Sequence, residues 1–101
     1  GEELMNDALK IEKIDNVAVV IRPVTKGETV VCSDHEGETI TVCAASDIPI
    51  YHKIALQDIA QGAKIVKYGE HIGEASQAIR TGAHVHTHNV ASVREDLRED
   101  Q

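Results

Sequence analysis

The stretch Val24-Thr25-Lys26-Gly27-Glu28-Thr29-Val30 sets an apolar residue, two spacers, a glycine, two spacers and a second apolar residue in a row. Ile59-Ala60-Gln61-Gly62-Ala63-Lys64-Ile65 and Ile79-Arg80-Thr81-Gly82-Ala83-His84-Val85 repeat the pattern. Ile48-Pro49-Ile50-Tyr51-His52-Lys53-Ile54 repeats it again, with Tyr51 in the glycine place. Glycine enters the left-handed backbone region without steric cost. Each copy therefore reads as a short helical turn, ended by a left-handed residue, that releases the chain into a strand. The apolar ends pin both sides of the turn to one core. The copies are too short and too unevenly spaced for a solenoid. The expected architecture is a mainly β, turn-rich domain with short helical turns.

Working outward, Asn16 to Ile21 is a continuous apolar, β-branched run of the kind that fills a buried strand, and Pro23 stops it. Thr29 to Cys32 and Glu38 to Cys43 read as a hairpin around Asp34-His35-Glu36-Gly37, with Gly37 at positive φ and His35 solvated. Lys53 to Leu56, Ala63 to Lys67 and Ile72 to Ala75 are further strands, the last two separated by a turn at Tyr68-Gly69-Glu70. Ser76 is placed to cap a brief helix running through Ile79. Leu9, Ile11 and Ile14 open the apolar pattern. The expected division is a flexible leader over 1–8, the β domain over 9–90, and a charged tail over 91–101 in which Val93 and Leu97 stand four apart.

A chain of 101 residues is one domain, and with no Phe, no Trp and two tyrosines its core is aliphatic. That favours short strands and argues against aromatic platforms for single-stranded nucleic acid. The formal charge of -7 repels phosphate backbones and anionic lipid, and no basic stripe offsets it. No apolar run approaches a membrane span and no signal-peptide pattern opens the sequence. Cys32 and Cys43 then read as reduced thiols of a cytoplasmic protein.

The chemistry concentrates near the C-terminal end. From Ala83 to His88, histidine alternates with small or apolar residues, so in a strand His84, His86 and His88 share one face. Imidazole titrates near neutral pH and is the commonest metal ligand. The same row also fits a plain exposed polar face, and spacing alone favours that reading, because a catalytic metal needs about three protein ligands.

His52-Lys53-Ile54-Ala55-Leu56, Asp58-Ile59-Ala60 with Gly62, Val66-Lys67-Tyr68-Gly69, Ile72-Gly73 and Val85-His86-Thr87-His88-Asn89 together resemble the SAF domain of the altronate/galactarate dehydratase family. Asp15-Asn16-Val17-Ala18-Val19 fits the opening of that domain. The resemblance implies a β-clip fold and a metal-dependent elimination, with iron the usual metal. It implies that the domain is either the N-terminal part of a sugar-acid dehydratase or a small subunit beside a large catalytic chain. The small subunit of a sulfolactate sulfo-lyase is similar too, and SAF-like domains also serve as non-catalytic carbohydrate- or partner-binding modules.

Dehydrating a sugar acid takes a base for the proton beside the carboxylate, positive charge for the enolate, and an acid for the departing hydroxide. With the resemblance, His86 and His88 are expected to hold a divalent metal or move protons, and His52 to act as acid or base. Lys53 is expected to pair with the substrate carboxylate and Asn89 to orient its hydroxyls. The chain departs from the family pattern in Tyr51, where glycine is usual, which bears on the turn leading into His52. His84 lies outside the shared motif and receives no role. A domain this small is expected to be inactive alone, to give one wall of a site that a larger chain completes, and to be capable of homo-oligomer formation.

Overall fold

The computed structural model describes residues 6–10, 12–34 and 36–92. Nine short strands follow in order: β1 (Ala8–Leu9), β2 (Val17–Val20), β3 (Thr29–Ser33), β4 (Thr39–Cys43), β5 (Lys53–Ala55), β6 (Lys64–Lys67), β7 (Glu70–Ala75), β8 (His84–Val85) and β9 (Val90–Ser92). They form a six-stranded sheet of order β4-β3-β1-β2-β5-β8 and a three-stranded sheet of order β6-β7-β9. This is the mainly β, β-clip-like domain expected. No helix among the described residues is long and apolar enough to cross a membrane. His35, Ile11, Val93 and Leu97 lie outside the described residues, as do 1–5 and 93–101.

The four sequence copies obey one main-chain grammar, and they do so in pairs. Val24 and Ile48, which open two of the copies, exchange N–H···O bonds of 2.9 and 2.8 Å. The Gly27 N–H then donates to the Ala44 carbonyl and the Tyr51 N–H to the Val20 carbonyl, each at 2.8 Å. In return, the Ala44 N–H donates to the Glu28 carbonyl and the Val20 N–H to the His52 carbonyl. The other two copies repeat every step. Ile59 and Ile79 exchange bonds of 2.8 Å; Gly62 donates to Ala75 and Gly82 to Ala55; Ala75 donates to Ala63 and Ala55 to Ala83. The first pair of opening residues lies in one core with Ala18, Val20 and Ile54, the second in another with Val17, Ala55 and Val85. Neighbours on β2 and β5 thus face opposite cores, which is why residues 16–21 show no polar alternation.

The copies are tight β-turns rather than the short helical turns expected. Glu28 N–H bonds back to Thr25, His52 to Pro49, Ala63 to Ala60 and Ala83 to Arg80, closing four-residue turns. The third residue of each has positive φ: 94° at Gly27, 70° at Tyr51, 87° at Gly62 and 87° at Gly82. A left-handed residue can end a helix or fill the third place of a type II turn, and the sequence pattern is the same for both. Tyr51 therefore keeps the glycine-like turn, at a cost of about 1–2 kcal/mol for an L side chain in that region. Nor does Ser76 cap a helix: its N–H bonds the Asn89 carbonyl, and Ile79 is drawn into its bridge with Ile59.

The expected hairpin of β3 and β4 is present in register from Thr29↔Cys43 to Ser33↔Thr39, with Gly37 at φ 88°. Residues 7 and 8, placed in the leader from sequence, belong to the fold. Ala8 is fully buried on β1, and Asp7 accepts the Val31 N–H at 2.9 Å and the Arg22 Nε–H at 2.8 Å. The tail boundary moves similarly, since Val90–Ser92 pairs with β7. Asp15 and Asn16 join the two sheets. The Asn16 amide donates to the Lys64 carbonyl and accepts the Val66 N–H, while Asp15 accepts the Gly69 N–H at 2.7 Å.

Two outcomes check this account. A Cβ on Gly82 would meet the carbonyl oxygen of Cys43, whereas one on Gly27 would meet nothing within 4 Å. Gly27→Ala should therefore cost only the left-handed strain, about 1–2 kcal/mol, and Gly82→Ala clearly more, in urea denaturation. Burial pushes the Asp7 carboxyl up, but the hydrogen bonds from Arg22 and Val31 and the Arg22 charge outweigh it and leave the carboxyl below its ordinary 3.8. The unfolded chain then binds this proton more readily than the folded one. The stability Asp7 contributes is present above about pH 4 and lost below it, and Asp7→Asn should flatten that loss in denaturation midpoints measured from pH 6 to pH 2.

Candidate functional site

Two neighbouring strands bring the histidines together. β5 and β8 are antiparallel, with Lys53 opposite Val85 and Ile54 opposite His84. Extending that register by one residue sets His52, in the turn before β5, opposite His86, just after β8. Their rings stack with centroids 3.9 Å apart. His52 Nδ1 lies 2.8 Å from His84 Nε2, near enough to share a proton. His52, His84 and His86 each present a ring nitrogen within 4.8 Å of the others. All three are half-buried, and their backbones are held by the turn bonds of both cores.

The strand that was expected to carry His84, His86 and His88 on one face ends at Val85. A turn closes behind it, with the Asn89 N–H donating to the His86 carbonyl at 3.0 Å. This folds His88 back so that its ring tilts over His84, 5.0 Å between centroids, while staying exposed. Asn89 is buried and committed to that turn: its side chain accepts the His86 N–H at 3.0 Å and donates to the His84 carbonyl at 2.9 Å. Each end of its amide thus holds one main-chain group of the histidine turn. His84, which received no role from sequence, lies at the centre of the group. Its signal was there: it stands two residues before His86 in the same alternating run.

Burial lowers the proton affinity of His84, and the charges of His88, His52, His86 and Lys53 add to the effect. Burial also lowers His86, helped by His52, Lys53 and His88. Both rings are thereby shifted toward the neutral form, which carries a lone pair able to take a proton or a cation. His86 Nδ1 is buried without a hydrogen-bond partner.

Beside His86 a cavity of about 230 Å³ is lined by Lys53, Ile72, His86, Thr87 and Val90. Burial lowers the proton affinity of the half-buried Lys53 amine, and the Lys67 charge lowers it further. An amine drawn partly out of water is a stronger electrostatic partner for a carboxylate than a fully hydrated one. On the far side of the group, His84 borders an open depression with Pro23, Thr25, Asp47 and Pro49. The exposed Tyr51 side chain stands beside His52 at 71 % exposure. Cys32 is buried, its thiol pushed up to about 11 by that burial and by Asp7, and Cys43 is exposed; neither is in the histidine group.

Residues 6–93 match the family described as altronate/galactarate dehydratase SAF domain. The chain is 39 % identical to an altronate dehydratase of Bacillus subtilis (strain 168) over 94 residues, 93 % of this chain and 18 % of that protein. It is 43 % identical to an altronate dehydratase of Escherichia coli (strain K12) over 89 residues, 88 % of this chain and 17 % of that protein. A (2R)-sulfolactate sulfo-lyase subunit alpha of Paracoccus pantotrophus is 43 % identical over 65 residues, 64 % of this chain and 94 % of that subunit. The chain thus spans less than a fifth of the dehydratases it matches and nearly all of the sulfo-lyase subunit.

The role given to Asn89 has a direct check. Asn89→Ala leaves the His86 N–H and the His84 carbonyl without their partners, at a cost of about 1–3 kcal/mol in chemical denaturation. The His84 and His86 ring resonances should shift at the same time.

Proposed function

The chain belongs to the altronate/galactarate dehydratase SAF domain family, and from that premise we propose that it is the small subunit or N-terminal domain of a sugar-acid dehydratase. On this reading it supplies histidines to a site that a larger catalytic chain completes. The observation that carries the proposal is the meeting of His52, His84 and His86 beside the Lys53-lined cavity. The relatives named altronate dehydratase are more than five times as long as the matched segment, which supports a larger neighbour.

The chemistry follows from the groups present. A neutral His86, its basic form favoured by burial, takes the proton from the carbon next to the substrate carboxylate. Lys53 faces the carboxylate and the negative charge that grows on it as the carbon–hydrogen bond breaks. His52 gives a proton to the hydroxyl on the adjacent carbon, and that hydroxyl leaves as water. The enol that remains becomes the 2-keto acid. A divalent metal among the imidazoles would polarise the substrate carboxylate and hydroxyl as a Lewis acid. His88, exposed at the rim, is placed to pass protons between His84 and solvent.

The Lys53-lined cavity is small against a ligand pocket of roughly 300–1,000 Å³ and the depression beside His84 is open to solvent, so the domain alone should not turn over substrate. The near-complete match to the sulfo-lyase subunit favours one second reading, a small subunit whose complex expels sulfite instead of water.

The deciding experiment joins this chain to the large catalytic chain and follows altronate and galactarate dehydration, with sulfite release from sulfolactate in parallel. His86→Ala should lower kcat by about 10²–10⁴-fold while the complex elutes intact. Unchanged turnover would leave a non-catalytic binding module instead.

A further inference from the structure

Three imidazoles converge here from two strands, and His86 Nδ1 is buried with no partner for its proton or lone pair. A buried polar atom left unbonded costs about 1–3 kcal/mol, so native proteins seldom keep one without a use. The 2.8 Å gap between His52 Nδ1 and His84 Nε2 is informative as well. Two nitrogen ligands of one tetrahedral cation, each at about 2.0–2.1 Å, stand about 3.3 Å apart. The nitrogen spacing is thus near that of two ligands, and the rings, which stack on one another, would turn about their Cβ–Cγ bonds to aim their lone pairs at one ion. The proton donated between them moves to the other nitrogen of its own ring, and each neutral imidazole then turns a lone pair to the cation.

From this geometry we propose that His52, His84 and His86 form a three-imidazole site, within this domain, for a divalent first-row transition cation that keeps a coordination position for a substrate oxygen. This deepens the proposed function and rests on the same histidine face: with a cation bound, His52 and His86 would be its ligands, and the proton transfers given to them above would fall to His88 and to groups of the completing chain. The ligand set differs from the pair His86 and His88 expected from sequence. His84 replaces His88, because the chain reverses after His86 and carries His88 to the exposed rim. The donors are all nitrogen, without a carboxylate or thiolate. Imidazole suits zinc, copper, nickel and iron, whereas magnesium and calcium prefer oxygen ligands. The Asn89 amide, bonded to the backbone of His84 and His86, fixes where those two ligands start.

The test uses the 101-residue chain and needs no catalytic partner. Zn²⁺ is titrated calorimetrically and Co²⁺ by its visible absorption, with Mg²⁺ as competitor. One ion per chain should bind and Mg²⁺ should not displace it. Ring-nitrogen NMR shifts should move for His52, His84 and His86 and stay in place for His71. His84→Ala should weaken Zn²⁺ binding by at least about tenfold, the low end of what even an outer-shell change costs, with His84→Asn as a second variant should alanine impair folding. His88→Ala should cost less than His84→Ala. Absence of binding to the unaltered chain would overturn the site, as would unshifted His84 and His86 resonances, or a His88→Ala loss equal to that of His84→Ala. Turnover lost on His86→Ala in the assembled complex, with no metal bound by the chain, would overturn the site and leave the proposed function standing. Metal bound at the three rings with turnover untouched would do the reverse.

Discussion

The exchange of main-chain hydrogen bonds between paired left-handed turns is the constraint on which the molecule depends. The strands are too short to bury much on their own, and Ala, Val and Ile with Cys32 make up the buried apolar core of the described residues. Every buried N–H and carbonyl must still find a partner. Gly27 with Ala44, Tyr51 with Val20, Gly62 with Ala75 and Gly82 with Ala55 meet that demand by the same reciprocal geometry, twice in each core. Each bond is worth only about 0.5–1.5 kcal/mol net, but leaving its groups buried and unbonded costs more. The clips are therefore held in place chiefly by the penalty for opening them.

The same exchange aims the histidines. His52 follows the turn of one core, with its carbonyl bonded to Val20; His84 follows the turn of the other, behind an Ala83 carbonyl bonded to Ala55. The two clips thus deliver imidazoles from opposite halves to the junction where β5 meets β8. β2 and β5, facing both cores, form the rigid wall between them. A functional group placed at such a junction inherits the stiffness of both halves, which is what binding or proton transfer within a few tenths of an ångström demands.

Electrostatics completes the arrangement. His84 and His86 sit close to each other, to His52 and to Lys53 in a half-buried setting, so each additional positive charge there is disfavoured. Free lone pairs follow from that crowding. They sit next to an open cavity and to the exposed Ile50 and Tyr51, in a chain whose net charge is -7. Lys53 beside these imidazoles gives an otherwise acidic domain a local spot of positive charge.

The repeat, strands β2 to β7, the hairpin turn at Gly37 and the family could all be read from the sequence, because glycine spacing, β-branched runs and short motifs act over a few residues. The reading of the copies as helical turns failed at one point only: a left-handed residue serves a helix end and a type II turn alike, and the local pattern cannot separate them. The row of histidines was legible too, but not its shape. Which copies clip together, how Asp7 and Ala8 enter the sheet, and that Asn89 turns inward while His88 turns outward are decided by pairings across the chain. His52 and His84 meet across a separation of 32 residues. Their contact exists only because the β5–β8 register is fixed by two cores at once, and register is a property of the packed molecule, not of either strand.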